Sequence, residues 1–362
     1  MMLSRKNMLV KVLLWPFSLI YGAVVAVRNF CFDAGIMRAK MYDMPIISVG
    51  NLTVGGTGKT PHTEYLIRLL SPKYRVATLS RGYGRKTKGF LLSDMQTSAH
   101  EMGDEPCQMK RKFPDVTVAV AEKRCEGVEQ LMLVQPPLEV VLLDDAYQHR
   151  YIKPGLSILL IDYNRPITDD NLLPMGNLRE SAANVNRADM LVVTKCPQQL
   201  SAVNALQIKK SMKIDMMQDV FFTTFRYGDL LPFADTAASS MTMDMLRDKH
   251  VLLLTGIASP QSMREYLEKY AKKVRLLPFS DHHDFNEKDI RMLCESFASI
   301  ESDEKIIVTT EKDAVRLAGV SLPAEVKCNM YTLGVEVAFL LQKEEVFNRK
   351  ILSYVEENRR GR

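Results

Sequence analysis

The chain is predicted to be an α/β protein with a doubly wound, mainly parallel sheet, a second, smaller α/β domain and an N-terminal membrane-associated helix. Short buried strands alternate with helical patterns, a glycine-rich loop lies between the first strand and helix, and an uncharged apolar run stands near the N-terminus. Such a strand–loop–helix unit makes the fold P-loop NTPase-like.

At 362 residues the chain exceeds what one hydrophobic core usually serves. The expected division is a membrane-associated helix at 1–30, a P-loop domain at 31–215 and a smaller α/β domain at 216–362. Charged residues at 25% and apolar residues at 46% fit an ordinary folded protein. A net charge of +5 suits a partner with some negative character, without selecting nucleic acid over an anionic lipid surface. The 6 cysteines form no C-x-x-C pair, which disfavours zinc and a disulfide framework and suggests a reducing cytosolic setting.

Val12 to Val27 is uncharged, with Arg5, Lys6 and Lys11 before it and Arg28 after it. It falls short of the roughly 20 residues of a perpendicular span, and Pro16 should disturb a helix begun earlier. A helix lying in the membrane interface therefore fits better than a span, with Trp15 and Tyr21 at the headgroups. A buried core helix is the plainer alternative, and no small-residue cleavage site favours a signal peptide.

Pro45 to Val49 reads as a buried strand, Gly50 to Thr60 (GNLTVGGTGKT) as the glycine loop, and Pro61 to Leu70 as a helix. The N–H groups around Gly55, Gly56, Thr57 and Gly58 can wrap phosphates at the helix N-terminus. Lys59 can reach the outer phosphates and Thr60 can ligate Mg²⁺. In G-x-x-x-x-G-K-[ST], Thr53 holds the first glycine position.

Arg75 to Leu79 is the next strand, leading into the basic loop Ser80 to Arg85, which can hold an anionic substrate or be an ordinary solvated turn. Val116 to Val120 and Leu138 to Leu143 follow, the latter ending in Asp144 and Asp145. Acids at the carboxyl end of a parallel strand stand beside ligands at the P-loop and can hold Mg²⁺; a helix cap is the plainer reading. Ser157 to Ile161 and Met190 to Thr194 continue the sheet. Val220 to Phe225 and an alanine-containing stretch to about Ser240 mark the passage into the second domain. There, Val251 to Thr255, a loop from Gly256 to Pro260, a helix from Gln261 to about Tyr270, and strands at Val274 to Pro278 and Lys305 to Thr309 are expected. From about Glu336 the tail reads as an amphipathic helix ending in Arg359, Arg360 and Arg362.

A P-loop with a strand-end acid indicates a nucleoside triphosphate with Mg²⁺ and leaves the phosphoryl acceptor open. Proton removal from an alcohol could come from Asp104-Glu105 or from Asp281 to Phe285, and charge stabilisation from Arg81, Arg124 or Arg179. Isolated acid pairs and His-His pairs are more often surface features than sites.

Together GNLTVGGTGKTP, LSRGYGR, GDEP, LDDAYQHR, PMGNLRE, SDHHDF and TEKDAVRL resemble the tetraacyldisaccharide 4′-kinases, the lipid A kinases of Gram-negative bacteria. The family's loop also begins Gly-Asn-Leu, so Thr53 is what the resemblance leads one to expect. The resemblance implies transfer of the γ-phosphate of ATP to the 4′-hydroxyl of a tetraacylated glucosamine disaccharide 1-phosphate at the cytoplasmic face of the inner membrane. Membrane and lipid are then the partners, nucleic acid is not, and oligomeric state is open. By the same resemblance Asp104 is the base, assisted by His282 from the second domain, with His283 one residue off the pattern. Thr60, Glu105, Asp144, Asp145 and Gln148 form the Mg²⁺ and nucleotide group, and Arg81, Tyr83, Arg124 and Arg179 lie with substrate. A membrane-associated switch NTPase is the main competing reading, but it explains neither the His282 cluster nor the absence of N-K-x-D, for which Thr194-Lys195-Cys196 is a poor substitute. A nucleotide-gated lipid carrier is the non-enzymatic alternative.

Overall fold

The computed structural model describes residues 2–212, 218–233, 239–257 and 260–359. Its first element, α1 (Met2–Asp33), runs through Pro16 as a single helix. The expected disturbance does not occur, because one missing donor leaves the rest of a long backbone ladder intact. By length and composition, Val10–Asp33 could cross a membrane, with mean hydropathy 1.9 and 6% of its apolar window buried. Val12, Leu13, Phe17, Ile20, Val24 and Val27 are exposed along it.

β1 (Ile46–Asn51) is buried throughout, and α2 (Lys59–Leu70) leaves the glycine loop. The chain continues through β2 (Val76–Ser80), β3 (Leu91–Leu92), α3 (Ala99–Met102), α4 (Asp104–Lys112), β4 (Thr117–Val120) and α5 (Arg124–Leu131). β5 (Val140–Asp144), β6 (Leu156–Asp162), β7 (Met190–Thr194) and α6 (Ala202–Ser211) complete the first lobe's run. β8 (Asp219–Pro232) leads to β9 (His250–Thr255), α7 (Gln261–Leu267), β10 (Lys273–Pro278) and α8 (Glu287–Ala298). The remainder is β11 (Lys305–Thr310), α9 (Glu311–Leu317), α10 (Ala324–Cys328), β12 (Met330–Phe339) and α11 (Glu344–Arg359).

These strands form one sheet in the order β10-β9-β11-β12-β8-β7-β6-β1-β5-β2-β4-β3. Among the described residues, the β12–β8 and β3–β4 ladders are the antiparallel ones. β1 lies between β5 and β6, parallel to both, so the winding reverses there and the carboxyl ends open a crevice. β8 belongs to both lobes: Asp219 to Phe222 pair in parallel with β7, and Thr223 to Pro232 pair antiparallel with β12.

The tail corrects one expectation, since Glu336 to Phe339 are strand and the helix begins only at Glu344. Their ladder partners on β8 lie far away in sequence, so local periodicity could not reveal the pairing. The helix expected to reach Tyr270 ends at Leu267. Residues 234–238, Ala258, Ser259 and 360–362, covered by earlier expectations, lie outside the described residues. The last helix returns to the first lobe, where Phe347, Ile351 and Val355 are buried with Ile47, Val49, Leu66 and Ile67. Each such side chain contributes roughly 1.5–3 kcal/mol by burial. The Tyr354 hydroxyl also accepts from the Ile46 N–H and donates to its carbonyl, both at 3.1 Å, fixing the start of β1.

Candidate active site

At the crevice, Val49 of β1 stands opposite Asp144 of β5, so the glycine loop begins beside the acids. Gly58 has φ +89°, and a Cβ there would lie 2.5 Å from the Phe225 ring of β8, so both backbone and space require glycine. Gly58 also caps α2 without any side-chain hydrogen bond, which leaves the helix's first amides available to an anion. The loop's other side is held firmly. The Thr57 carbonyl accepts from the Thr194 hydroxyl at 2.8 Å, and the Gly56 carbonyl from Lys195 Nζ at 2.5 Å. Thr53 is bridged to Leu178 and its carbonyl accepts from Asn51 at 2.8 Å, so this position behaves as extended chain. Thr57 Oγ1 is buried without a partner, as a group awaiting a ligand oxygen would be.

Lys59 Nζ lies 3.4 Å from Asn51 Oδ1 and 3.6 Å from Asp145 Oδ1. Thr60 follows on the first turn of α2. Asp144 is buried and accepts from the Thr63 hydroxyl at 3.1 Å. Its burial and the charge of Asp145 raise its pKa to about 6, against the pull of Lys59. Asp145 has a positive φ of 48°. Burial opposes its ionisation, but Lys59 and Arg179, the latter 3.0 Å away, hold it below the usual carboxylate range. Gln148 donates to the Asn51 carbonyl at 2.9 Å and accepts from Arg179 at 3.3 Å. Among the described residues no three or more His, Cys, Asp or Glu form a metal cluster. The Asp144 and Asp145 carboxylates beside Lys59 suit Mg²⁺, which takes one or two carboxylates and completes its shell from phosphates and water.

Arg124, expected with substrate, is only 2% exposed. It donates to the carbonyls of Ala121 at 2.6 Å and Asp144 at 3.4 Å, behind the strand end, and burial lowers its pKa to about 10. Arg81 and Tyr83 are exposed on the basic loop.

The opposite wall is α9 and the loop after β10. Asp104 opens α4 behind Gly103, whose φ of +94° and absent Cβ let it pack against Gly82 and the Tyr83 carbonyl. GDEP and RGYGR therefore meet through their glycines. Asp104 Oδ2 receives Arg316 Nη2 at 2.5 Å, Arg316 Nε at 3.0 Å and His282 Nδ1 at 3.1 Å. Burial would raise the Asp104 carboxyl, yet Arg316, with His282 and Lys312 behind it, holds it below the ordinary value. Lys312 donates to His282 Nε2 at 3.1 Å, and His282 Nδ1 lies 3.1 Å from Asp104 Oδ2 and 3.2 Å from Arg316 Nη2. Lys312 also pairs with Glu105 at 3.0 Å. His282 has φ +57° and meets the Tyr83 ring edge-on at 5.6 Å. His283 turns away to Asp289 at 2.9 Å and stacks on Phe279. Asp104, His282, Arg316, Tyr83, Lys86 and Arg111 line a 270 Å³ cavity between the lobes.

α1 reaches the Arg179 and Gln148 side of the crevice. Tyr21 donates to the Arg179 carbonyl at 2.8 Å, Asn29 to Glu180 at 3.1 Å, and Arg28 to the Gln148 carbonyl.

Reading the sequence missed Lys312 and Arg316, although TEKDAVRL was singled out; their i, i+4 spacing on one helix face was the available signal. It also missed Lys195, noticed only as part of a failed guanine motif.

A family model described as tetraacyldisaccharide-1-P 4′-kinase matches residues 10–356. A tetraacyldisaccharide 4′-kinase of Bacteroides thetaiotaomicron is 49% identical over 96% of this chain and 94% of its own length. One from Phocaeicola vulgatus is 48% identical over 96% of both chains. A solved structure, the "apo" form of LpxK from Aquifex aeolicus in complex with ATP, aligns with TM-score 0.74 and 30% identity. That alignment covers 96% of this chain and 99% of the other.

Proposed function

The chain belongs to the tetraacyldisaccharide-1-P 4′-kinase family, and from that premise we propose that it transfers the γ-phosphate of ATP to the 4′-hydroxyl of a tetraacylated glucosamine disaccharide 1-phosphate, a step of lipid A biosynthesis. The observation that carries this reading is Asp104, ionised and held by His282, in a cavity shared by both lobes. The hydroxyl proton passes to Asp104 as the hydroxyl oxygen bonds the γ-phosphorus and the bond to the β-phosphate oxygen breaks, releasing ADP. A loose transition state needs a weak base that orients the hydroxyl, so a low pKa at Asp104 suits the task.

Gly55, Gly56 and Gly58 cradle the phosphates through their amides and Thr57 through its unpartnered hydroxyl, Thr53 shapes the entry to the loop, and Lys59 neutralises the outer charge. Thr60 and one or two of the carboxylates Glu105, Asp144 and Asp145 would hold Mg²⁺, with Gln148 toward its waters, and the ion would supply charge neutralisation. Arg179, Arg81 and Tyr83 face the acceptor side, while Arg124 supports the Asp144 strand end. Lobes 31–215 and 216–362 close around ATP and lipid, with α11 returning to the first.

α1 sits at the cytoplasmic face of the bacterial inner membrane, with its exposed apolar residues in lipid. A tetraacyl lipid leaves a bilayer at about 0.8 kcal/mol per CH₂, so the enzyme goes to the lipid.

The deciding experiment incubates radiolabelled ATP with the tetraacyl disaccharide 1-phosphate. Label in the lipid supports the kinase. Label only in free phosphate would favour a switch NTPase, and intact ATP a carrier.

A further inference from the structure

We propose that Arg316 is a positioning residue that makes proton removal by Asp104 conditional on closure of the two lobes. The inference rests on the reading above, in which Asp104 is the base. The Arg316 side chain is 4% exposed. It is pinned to its own lobe, where Nη1 donates to Asp313 Oδ1 at 3.0 Å and to the Gly256 carbonyl at 3.3 Å. Asp313 is fixed in turn, since its Oδ2 accepts from the Thr310 hydroxyl at 2.7 Å and the Gly256 N–H at 2.9 Å. Nε and Nη2 reach across the cleft to Asp104, and Nη2 also lies 3.2 Å from His282 Nδ1.

Two consequences follow for the base. Arg316 and His282 all converge on Oδ2, and among the described residues no hydrogen bond reaches Oδ1. The carboxylate is thus oriented by the second lobe with Oδ1 left for the acceptor hydroxyl. When the lobes part, Asp104 loses these partners together and the orientation with them. The neighbouring interlobe pairs, Lys112–Glu311 at 2.6 Å and Lys312–Glu105 at 3.0 Å, can hold the lobes but do not touch Asp104. A lysine at 316 could not serve, because a point charge cannot bond Asp313, Gly256 and Asp104 in one plane.

The test measures kcat and KM for lipid phosphorylation in mixed micelles. Arg316→Ala should lower kcat about 100-fold while leaving KM for ATP within about threefold, the cost of a misplaced reacting group. Added guanidine should restore at least about tenfold, and Arg316→Lys should be no better than alanine. A kcat near wild type in Arg316→Ala, or full activity in Arg316→Lys, overturns the proposal. Since the alanine variant strips charge from buried Asp313, an Asp313→Asn/Arg316→Gln enzyme keeps the shape without either charge. It should show the same kcat loss, and wild-type turnover in it also overturns the proposal. Asp104→Ala separates the two levels: normal turnover there removes the general-base reading itself, whereas its inactivity beside a fully active Arg316→Ala removes only the role of Arg316.

Discussion

The two walls of the cleft are built differently. On the first, the glycine loop is held from behind through its carbonyls by Thr194 and Lys195, leaving the first amides of α2 to the ligand. On the second, Arg316, Lys312 and His282 act only through side chains that cross to the other lobe. A wall made of backbone can bind whether or not its neighbour is in place. A wall made of crossing side chains contributes only when the lobes are together. The first should therefore govern nucleotide affinity and the second turnover.

The sharpest way to break that comparison is Lys59→Ala, which should lower lipid phosphorylation by about 10³-fold and weaken ATP binding as well. Retained ATP affinity, measured by a fluorescent nucleotide, would mean that the loop does not govern binding. His282→Ala should cost about 10²-fold in kcat with ATP affinity held, since general-base support contributes on that scale. An equal loss of ATP affinity would put nucleotide on the second wall.

His62 tests whether the join between the walls is structural. It is buried, donating from Nδ1 to the Gly58 carbonyl at 2.7 Å, with Nε2 3.0 Å from the Thr223 hydroxyl of β8. Burial lowers its pKa to about 4 from 6.5, with the bond to Gly58 opposing the shift. The fold refuses a proton that the unfolded chain accepts. Its stabilisation is then complete above pH 6.5, declines as pH falls toward about 4, and levels off below. Over that window the loss amounts to roughly 3 kcal/mol at 1.36 kcal/mol per unit. Urea unfolding at pH 7 and pH 4.5 should show a smaller decline for His62→Asn than for the wild type; parallel declines would assign the effect to other groups.

The smallest effect concerns α1. Serine at Phe17, Ile20 and Val24 should lower activity on vesicles several-fold while sparing a short-chain substrate in detergent, as expected for lost apolar contact. Deleting the helix would be a poorer test, because Tyr21 and Arg28 hold the backbone at Arg179 and Gln148. An equal loss on both substrates would show that the serines disturbed this docking.

What the sequence revealed divides along the same line. The first wall is local: strand, glycines, lysine and helix are contiguous from Ile46 to Leu70, and the acids end a single apolar run. The second wall is assembled from separated segments, so Asp104 and His282 stood out in the sequence only as candidates, from an acid pair, a His-His pair and motif resemblance, and Arg316 was not singled out. Pairing of Glu336 to Phe339 with β8 was hidden for the same reason, since strand partners distant in sequence leave no local period. Pro16 misled in the opposite direction, because a local rule about helix breaking was outweighed by the length of α1.

β8 links the two walls mechanically. Its ladders to β7 and β12 keep the lobes hydrogen-bonded along one strand. The Phe225 ring on β8 lies 2.5 Å from where a Cβ of Gly58 would be, so this strand packs directly against the glycine loop. By linkage the effect runs both ways: if closing the lobes tightens the grip on ATP, then bound ATP favours the closed form by the same factor. Nucleotide and lobe angle are then thermodynamically reciprocal variables.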